Sequence, residues 1–130
     1  MAAAVRARDA GIALALAAVA LLAACGGGGQ VPATPVAEAT IRAVRTIRFD
    51  RSALTVAANR DVRITFANED AGVAHNFAIY RDSAFREKLY ETEVRQPPYQ
   101  ATLTVRLPPG TYYFRCDVHP AQMKGTLTAR

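Results

Sequence analysis

Within the stretch Tyr112-Tyr113-Phe114-Arg115-Cys116-Asp117-Val118-His119-Pro120-Ala121-Gln122-Met123-Lys124-Gly125, a thiol, an imidazole and a thioether fall within eight residues. The second imidazole, His75, stands 41 positions before Cys116 in Gly72-Val73-Ala74-His75-Asn76-Phe77, and these two are the only histidines of the chain. Two imidazoles, one thiolate and one weak thioether are the donor set of a trigonal copper site. Singly, each residue has an ordinary explanation: a hydrogen-bonded histidine, a buried inert cysteine, a methionine filling the core. Together, both histidines, Cys116 and the only methionine beyond Met1 converge on one motif.

Cysteine usage points the same way. The chain has two cysteines, Cys25 and Cys116. Residues 1–24 are expected to be a signal peptide, with Arg6 and Arg8 as a basic start. The apolar run Gly11 to Ala24 is too short to span a bilayer as a mature helix. It ends in Leu22-Ala23-Ala24-Cys25, which resembles the bacterial lipobox, where the cysteine is lipidated and becomes the new N-terminus. Ordinary secretory cleavage at Ala23-Ala24 is the plainer alternative. With Cys25 lipidated, Cys116 has no disulfide partner in the chain. A lone thiol in an oxidising compartment calls for an explanation, and metal ligation supplies one.

Residues 25–39 carry four consecutive glycines and then Pro32 and Pro35, and are expected to form a flexible tether. Fully extended, it reaches at most about 45–50 Å. The whole chain has 16 basic and 11 acidic side chains, net +5. Without Arg6, Arg8 and Asp9 the balance is 14 to 10, net +4, and the arginines are spread along alternating positions. No nucleic-acid footprint is present, and the balance favours an acidic partner or an anionic membrane surface.

The elements that must position the donors are short strands. Leu54 and Val56, then Val62, Ile64 and Phe66, then Phe77 and Ile79, then Leu103, Val105 and Leu107, and lastly Tyr112, Phe114 and Cys116 alternate with polar residues at period two. Turn signals at Asn59-Arg60-Asp61, Asn68 to Gly72 and Pro108-Pro109-Gly110 separate them. One all-β sandwich domain over residues 40–130 is expected. Val44 breaks the register of Ile41 to Phe49, which predicts a bulge there. Asp82 to Lys88 is the one predicted helical turn, capped by Asp82, with Phe85 and Leu89 on its inner face. Residues 95–100 are expected to be loop. Cys116 should point inward with Tyr112 and Phe114. His119 and Met123 follow in a tight loop, Gly125 lets the chain turn into a last strand at Thr126 to Ala129, and His75 opens a strand pairing near 112–116.

The run Pro109-Gly110-Thr111-Tyr112-Tyr113-Phe114-x-Cys116-x-x-His119-Pro120, together with His75-Asn76-Phe77, resembles the cupredoxin family, the small plastocyanin- and amicyanin-like copper proteins. The resemblance covers roughly residues 41–129. It implies a Greek-key β-sandwich holding one copper ion, with His75, Cys116 and His119 as equatorial ligands and Met123 as the axial one. It also implies that Asn76 braces the ligand loop and hydrogen-bonds the thiolate. The loop departs from both better-known patterns: three residues separate His119 from Met123, where amicyanin-like loops have two and plastocyanin-like loops four. Gln122 is therefore a second candidate for the axial position.

On this resemblance the protein shuttles one electron between Cu(I) and Cu(II), with no catalytic residues. With the lipobox at Cys25, it is expected to be a monomer lipid-anchored in the cell envelope and facing the periplasm or extracytoplasmic space, where it would meet redox protein partners. His119 would be the electron port, with Val73, Ala74 and Pro120 as a small docking patch. A copper carrier or buffer without redox turnover is the alternative. A copper enzyme would need ligands for a second centre, and no histidines remain. A structural zinc site would want a fourth strong ligand.

Overall fold

The computed structural model describes residues 33–130; the expected signal segment, Cys25 and the tether as far as residue 32 lie outside the described residues. Alternation of apolar and polar side chains gives nine strands and no helix among the described residues. In chain order they are β1 (Glu38–Val44), β2 (Arg48–Phe49), β3 (Ala53–Val56), β4 (Val62–Asn68), β5 (Ala78–Tyr80), β6 (Lys88–Glu91), β7 (Tyr99–Val105), β8 (Gly110–Arg115) and β9 (Lys124–Ala129). One sheet runs β2-β1-β4-β7 and the other β3-β9-β8-β5-β6. The β1–β4 and β3–β9 pairs are parallel and the others antiparallel. The chain changes sheet at β2–β3, β3–β4, β4–β5, β6–β7 and β7–β8, the crossing connectivity of a Greek-key sandwich.

Each sheet buries one face. Ile41 and Ala43 of β1 and Val62, Ile64 and Phe66 of β4 meet Ile79, Tyr112, Phe114, Leu127 and Ala129 from the other sheet. At the end where His75 and Cys116 lie, the core becomes aromatic. Phe77 packs on Phe114 with ring centroids 5.3 Å apart, and Phe49 sets its edge against Phe66, Phe77 and Phe114 at 5.6–6.4 Å. Edge-to-face packing of this kind adds to area burial and favours one ring arrangement. Phe77 is two residues past His75 and Phe114 two before Cys116, so the aromatic floor sits directly beneath the donors. At the other end of β8, the Tyr112 hydroxyl donates to the Pro108 carbonyl at 2.9 Å and ties down the turn that launches the strand.

Several local expectations are corrected. Val44 carries no bulge: the chain turns over Arg45-Thr46-Ile47 and β2 pairs back, Ala43 with Phe49 and Val44 with Arg48, which resets the apolar register. Thr46 and Ile47 have φ of 72° and 55°, uncommon for β-branched residues. The Ile47 N–H donates to the Asp70 carboxylate at 3.3 Å, which helps hold the turn. Asp82 to Lys88 is not helical. The Asp82 carboxylate does cap, taking the N–H groups of Ala84, Arg86 and Glu87 at 3.0–3.1 Å, but Phe85 then enters the left-handed region at φ 55° and ends the turn. Phe85 packs on Tyr80 and Tyr113, while Leu89 lies in β6 against the core, so the two share no helical face. Pairing also begins early, because Val36 bridges Val56 and β1 starts at Glu38, inside the expected tether. Likewise β7 starts at Tyr99, within the expected loop.

Gly125 is not a turn residue either. It lies within β9 opposite Phe114, where a Cβ would come to 2.3 Å from the Ser52 carbonyl oxygen and 2.4 Å from the Phe114 ring. Neither neighbour can yield cheaply, since one is backbone and the other belongs to the aromatic floor. Gly125→Ala is expected to destabilise the metal-free protein by about 1–3 kcal/mol, as overpacking does. A urea midpoint within error of wild type would show that the floor gives way freely.

Candidate metal centre

Two pieces of chain from different parts of the sequence meet at this end of the sandwich. The first is the β8–β9 loop. Cys116 extends β8 on the inward face shared with Tyr112 and Phe114, and is fully buried. Its N–H donates to the Met123 carbonyl at 2.9 Å, directly beyond the Arg115–Lys124 pair of the β8–β9 ladder. Residues opposed across a ladder place their side chains on one face. Met123 is therefore carried to the same inward side as Cys116 and is fully buried, while Gln122, one residue out of phase, is exposed. Between them the His119 N–H donates to the Cys116 carbonyl at 3.3 Å and the His119 carbonyl accepts from the Met123 N–H at 3.0 Å.

The second piece is the segment leading into β5. β5 pairs with β8, Ala78 opposite Arg115, which brings the preceding His75 alongside Cys116. His75 is fully buried, and its backbone exchanges hydrogen bonds with Arg95, both at 3.1 Å. Next to it, Asn76 clamps the loop: its amide nitrogen donates to the Asp117 carboxylate at 3.1 Å and its carbonyl oxygen accepts from the Asp117 N–H at 2.8 Å. Asn76 thus ties the segment entering β5 to the loop between Cys116 and Met123. Its hydrogen bonds go to Asp117, however, and the Cys116 sulfur meets the two imidazole nitrogens instead.

The donors converge. His75 Nδ1 is 3.7 Å and His119 Nδ1 3.8 Å from Cys116 Sγ, and the two nitrogens are 3.1 Å apart. These three residues are the metal-competent cluster found among the described residues. One ion with bonds of about 2.0–2.1 Å to nitrogen and about 2.3 Å to sulfur, in a trigonal plane, needs nitrogen and sulfur about 3.8 Å apart and the nitrogens about 3.5 Å apart. The donor set fits, with the imidazoles drawn somewhat together.

Two carboxylates that sequence reasoning passed over complete the surroundings. Asp70 Oδ2 lies 2.9 Å from His75 Nε2, and both groups are buried. Asp117 takes hydrogen bonds from Lys88, Tyr80, Asn76 and Arg115. Burial pushes the Asp117 carboxyl upward, but those donors outweigh it and hold the group well below the usual carboxylate range. Neither residue has a sequence signal: one sits in a polar turn, and the other is an unremarkable loop position between two donors.

The comparisons with known proteins bear on this geometry. The family model described as a cupredoxin-like domain matches residues 13–129. The chain belongs to the cupredoxin-like family. Among solved structures, the reduced auracyanin of Roseiflexus castenholzii superposes with a TM-score of 0.68 at 22% identity, covering 75% of this chain and 99% of that one. Auracyanin B gives 0.63 at 27% identity over 77% of this chain and 93% of that chain. Auracyanin A of Chloroflexus aurantiacus, described as a "blue" copper protein, gives 0.65 at 22% identity over 75% and 100%. Curated protein sequences gave no match.

The cupredoxin-like site is uneven in its exposure. His75 is enclosed, whereas His119 is half-buried in the loop beside the exposed Val118, Pro120 and Ala121. Burial holds the His119 imidazole below its ordinary value, the neighbouring His75 adds to this, and Asp70 opposes it. In the metal-free protein the unfolded chain therefore takes up this proton at a higher pH than the folded one. That contribution to stability is complete above about pH 6.5 and is lost as pH falls below it. Asp117, shifted down, acts only in the carboxylate range below about pH 4. The urea midpoint is expected to be lower at pH 5.5 than at pH 7.5, with His119→Gln removing much of the difference. An undiminished drop in that variant would assign the effect elsewhere.

Proposed function

We propose that this chain is an electron carrier that cycles one copper ion between Cu(I) and Cu(II), with His75, Cys116 and His119 as strong ligands and Met123 as a weak axial one. The observation that carries the proposal is the assembled triad of two imidazole nitrogens and a sulfur, 3.1–3.8 Å apart, over a floor of phenylalanines. Bound copper would supply a one-electron couple. The protein's part is to make that exchange cheap by fixing the donors in a geometry between the preferences of the two oxidation states. Met123 is favoured over Gln122 for the axial place because it is the inward, enclosed residue of the two. A pure copper carrier would benefit from accessible ligands, whereas His75, Cys116 and Met123 are all fully buried. That enclosure favours the redox role over metal delivery.

In this reading His119 is the point of electron entry and exit, being the donor nearest solvent. Val73, Ala74 and Pro120 would form the rim against which a redox partner docks briefly. The protein would work as a monomer at the cell envelope, held to a membrane by lipid on Cys25. Two acyl chains or more, each adding about 0.8 kcal/mol per buried methylene, suffice to hold a domain of this size at a surface.

Copper(II) added to the protein is expected to bind one to one and produce an intense visible band from thiolate-to-metal charge transfer. Cys116→Ser should abolish the band and leave the β-sandwich circular dichroism intact. A wild-type protein that binds copper colourlessly would sink the assignment.

The anchor has its own test. Cys25→Ala should move the protein from the membrane fraction to the soluble one, or leave unprocessed precursor. Mass spectrometry of the wild-type N-terminus should find an acylated Cys25, and any other mature N-terminus would refute the anchor.

A further inference from the structure

Asp70 is the one buried carboxylate among the described residues, and no Lys or Arg pairs with it. The carboxylates that pair with Lys or Arg are half-buried or exposed. A buried anion is costly unless matched by positive charge and hydrogen bonds. Asp70 Oδ2 accepts the N–H of Ile47 in the β1–β2 turn at 3.3 Å and lies 2.9 Å from His75 Nε2. Its own N–H donates to Asn68 Oδ1 at 3.0 Å. Asn68 in turn donates to the carbonyls of Val73 and Arg95 at 2.8 and 2.7 Å, so the carboxylate's position is fixed from both sides.

We propose that Asp70 is a positioning and charge-compensating residue for the metal site: it fixes His75 as the tautomer protonated at Nε2 and favours the oxidised state of the centre. The charge half of the proposal rests on the copper assignment above. With Nε2–H committed to Asp70, the His75 Nδ1 lone pair must face Cys116 and His119. Across the 3.1 Å gap, His119 Nδ1 is then the donor in the metal-free protein. Two neutral imidazoles and one thiolate leave a net charge of +1 on a Cu(II) centre and zero on a Cu(I) centre. One enclosed negative charge joined to His75 therefore stabilises Cu(II) over Cu(I) and lowers the reduction potential. A neutral amide of the same shape would not.

The test uses the full-length protein extracted in detergent. In the 15N-labelled, metal-free wild type, ring-nitrogen NMR should show His75 protonated at Nε2 and bare at Nδ1, with a slowly exchanging ring proton. The opposite tautomer overturns the proposal. In the copper-loaded protein, Asp70→Asn should keep the visible band. It should also shift the Cu(I):Cu(II) ratio at a fixed mediator potential toward Cu(I) by around tenfold, about 59 mV for one electron. A shift of more than twofold in that direction supports the role, while an unchanged or opposite ratio overturns it. Should Asp70→Asn fail to fold, the wild-type tautomer decides. Failure of the copper assignment itself has a different signature, the absence of the visible band in wild type, and the tautomer again decides the Asp70–His75 pairing.

Discussion

Two imidazole nitrogens 3.1 Å apart, each within 3.8 Å of the same sulfur, form an arrangement that a polypeptide does not reach for its own sake. Three polar groups crowd together at a largely buried end of the core, and each ring would be better solvated outside. The fold meets this by engaging the far side of each donor. His75 is held by Asp70 through its ring and by Arg95 through its backbone. Cys116 and Met123 are joined through the backbone, and His119 is strung between them. The donors are thus positioned largely by bonds that point away from the site.

Those outward bonds connect the two sheets. His75 depends on Asn68, which ends β4 of the first sheet, whereas the loop from Cys116 to Met123 joins β8 and β9 of the second. Asn68 is the fourth inward residue of β4, after Val62, Ile64 and Phe66, so a strand that builds the core finishes by presenting an amide to the site. Asn76 plays the matching part from the other side by locking Asp117. The aromatic floor enforces the spacing, since Phe77 and Phe114 reach the core from the same segments that carry His75 and Cys116. A shift of one sheet against the other would have to break the Asn68 clamp and repack Phe66 of β4 against Phe77.

What could be read from the sequence follows from what is local. Period-two alternation marked β3, β4 and β8, because one buried face imposes it directly, and the donor residues were legible because their types are rare and close together. The two-residue β2 was hidden, since its register is fixed only by the turn over Thr46 and Ile47, whose backbone conformation no residue type there favours. Asp82 was rightly placed as a cap, but three N–H groups on one carboxylate suit a tight turn as well as a helix start, and only the packing of Phe85 on Tyr80 selects the turn. Asp70 could not be singled out at all. Its meaning depends on a histidine five residues away and on a turn 23 residues earlier in the chain. Gly125 was noticed for the wrong reason, as flexibility instead of close approach.

The loop between His119 and Met123, intermediate in length between two familiar patterns, makes sense once the ladder is followed past its last named pair. Cys116 opposes Met123 because Arg115 opposes Lys124, and cross-strand neighbours share a face. Loop length alone therefore does not decide which residue enters the site; the residue that closes the ladder against the cysteine does. The side-chain period is two, so a one-residue slip in that register would turn Met123 outward and bring a neighbour such as the polar Gln122 inward. Pro120, Ala121 and Gln122 are then a bridge whose length is set by one requirement, that His119 reach the sulfur while its carbonyl still accepts from the Met123 N–H at 3.0 Å. The same requirement leaves His119 on the outermost curve of the loop and half-open to solvent, while His75 stays sealed against Asp70. The two imidazoles thus differ in their surroundings: one is enclosed and held through its ring, and the other stands at the edge of the loop.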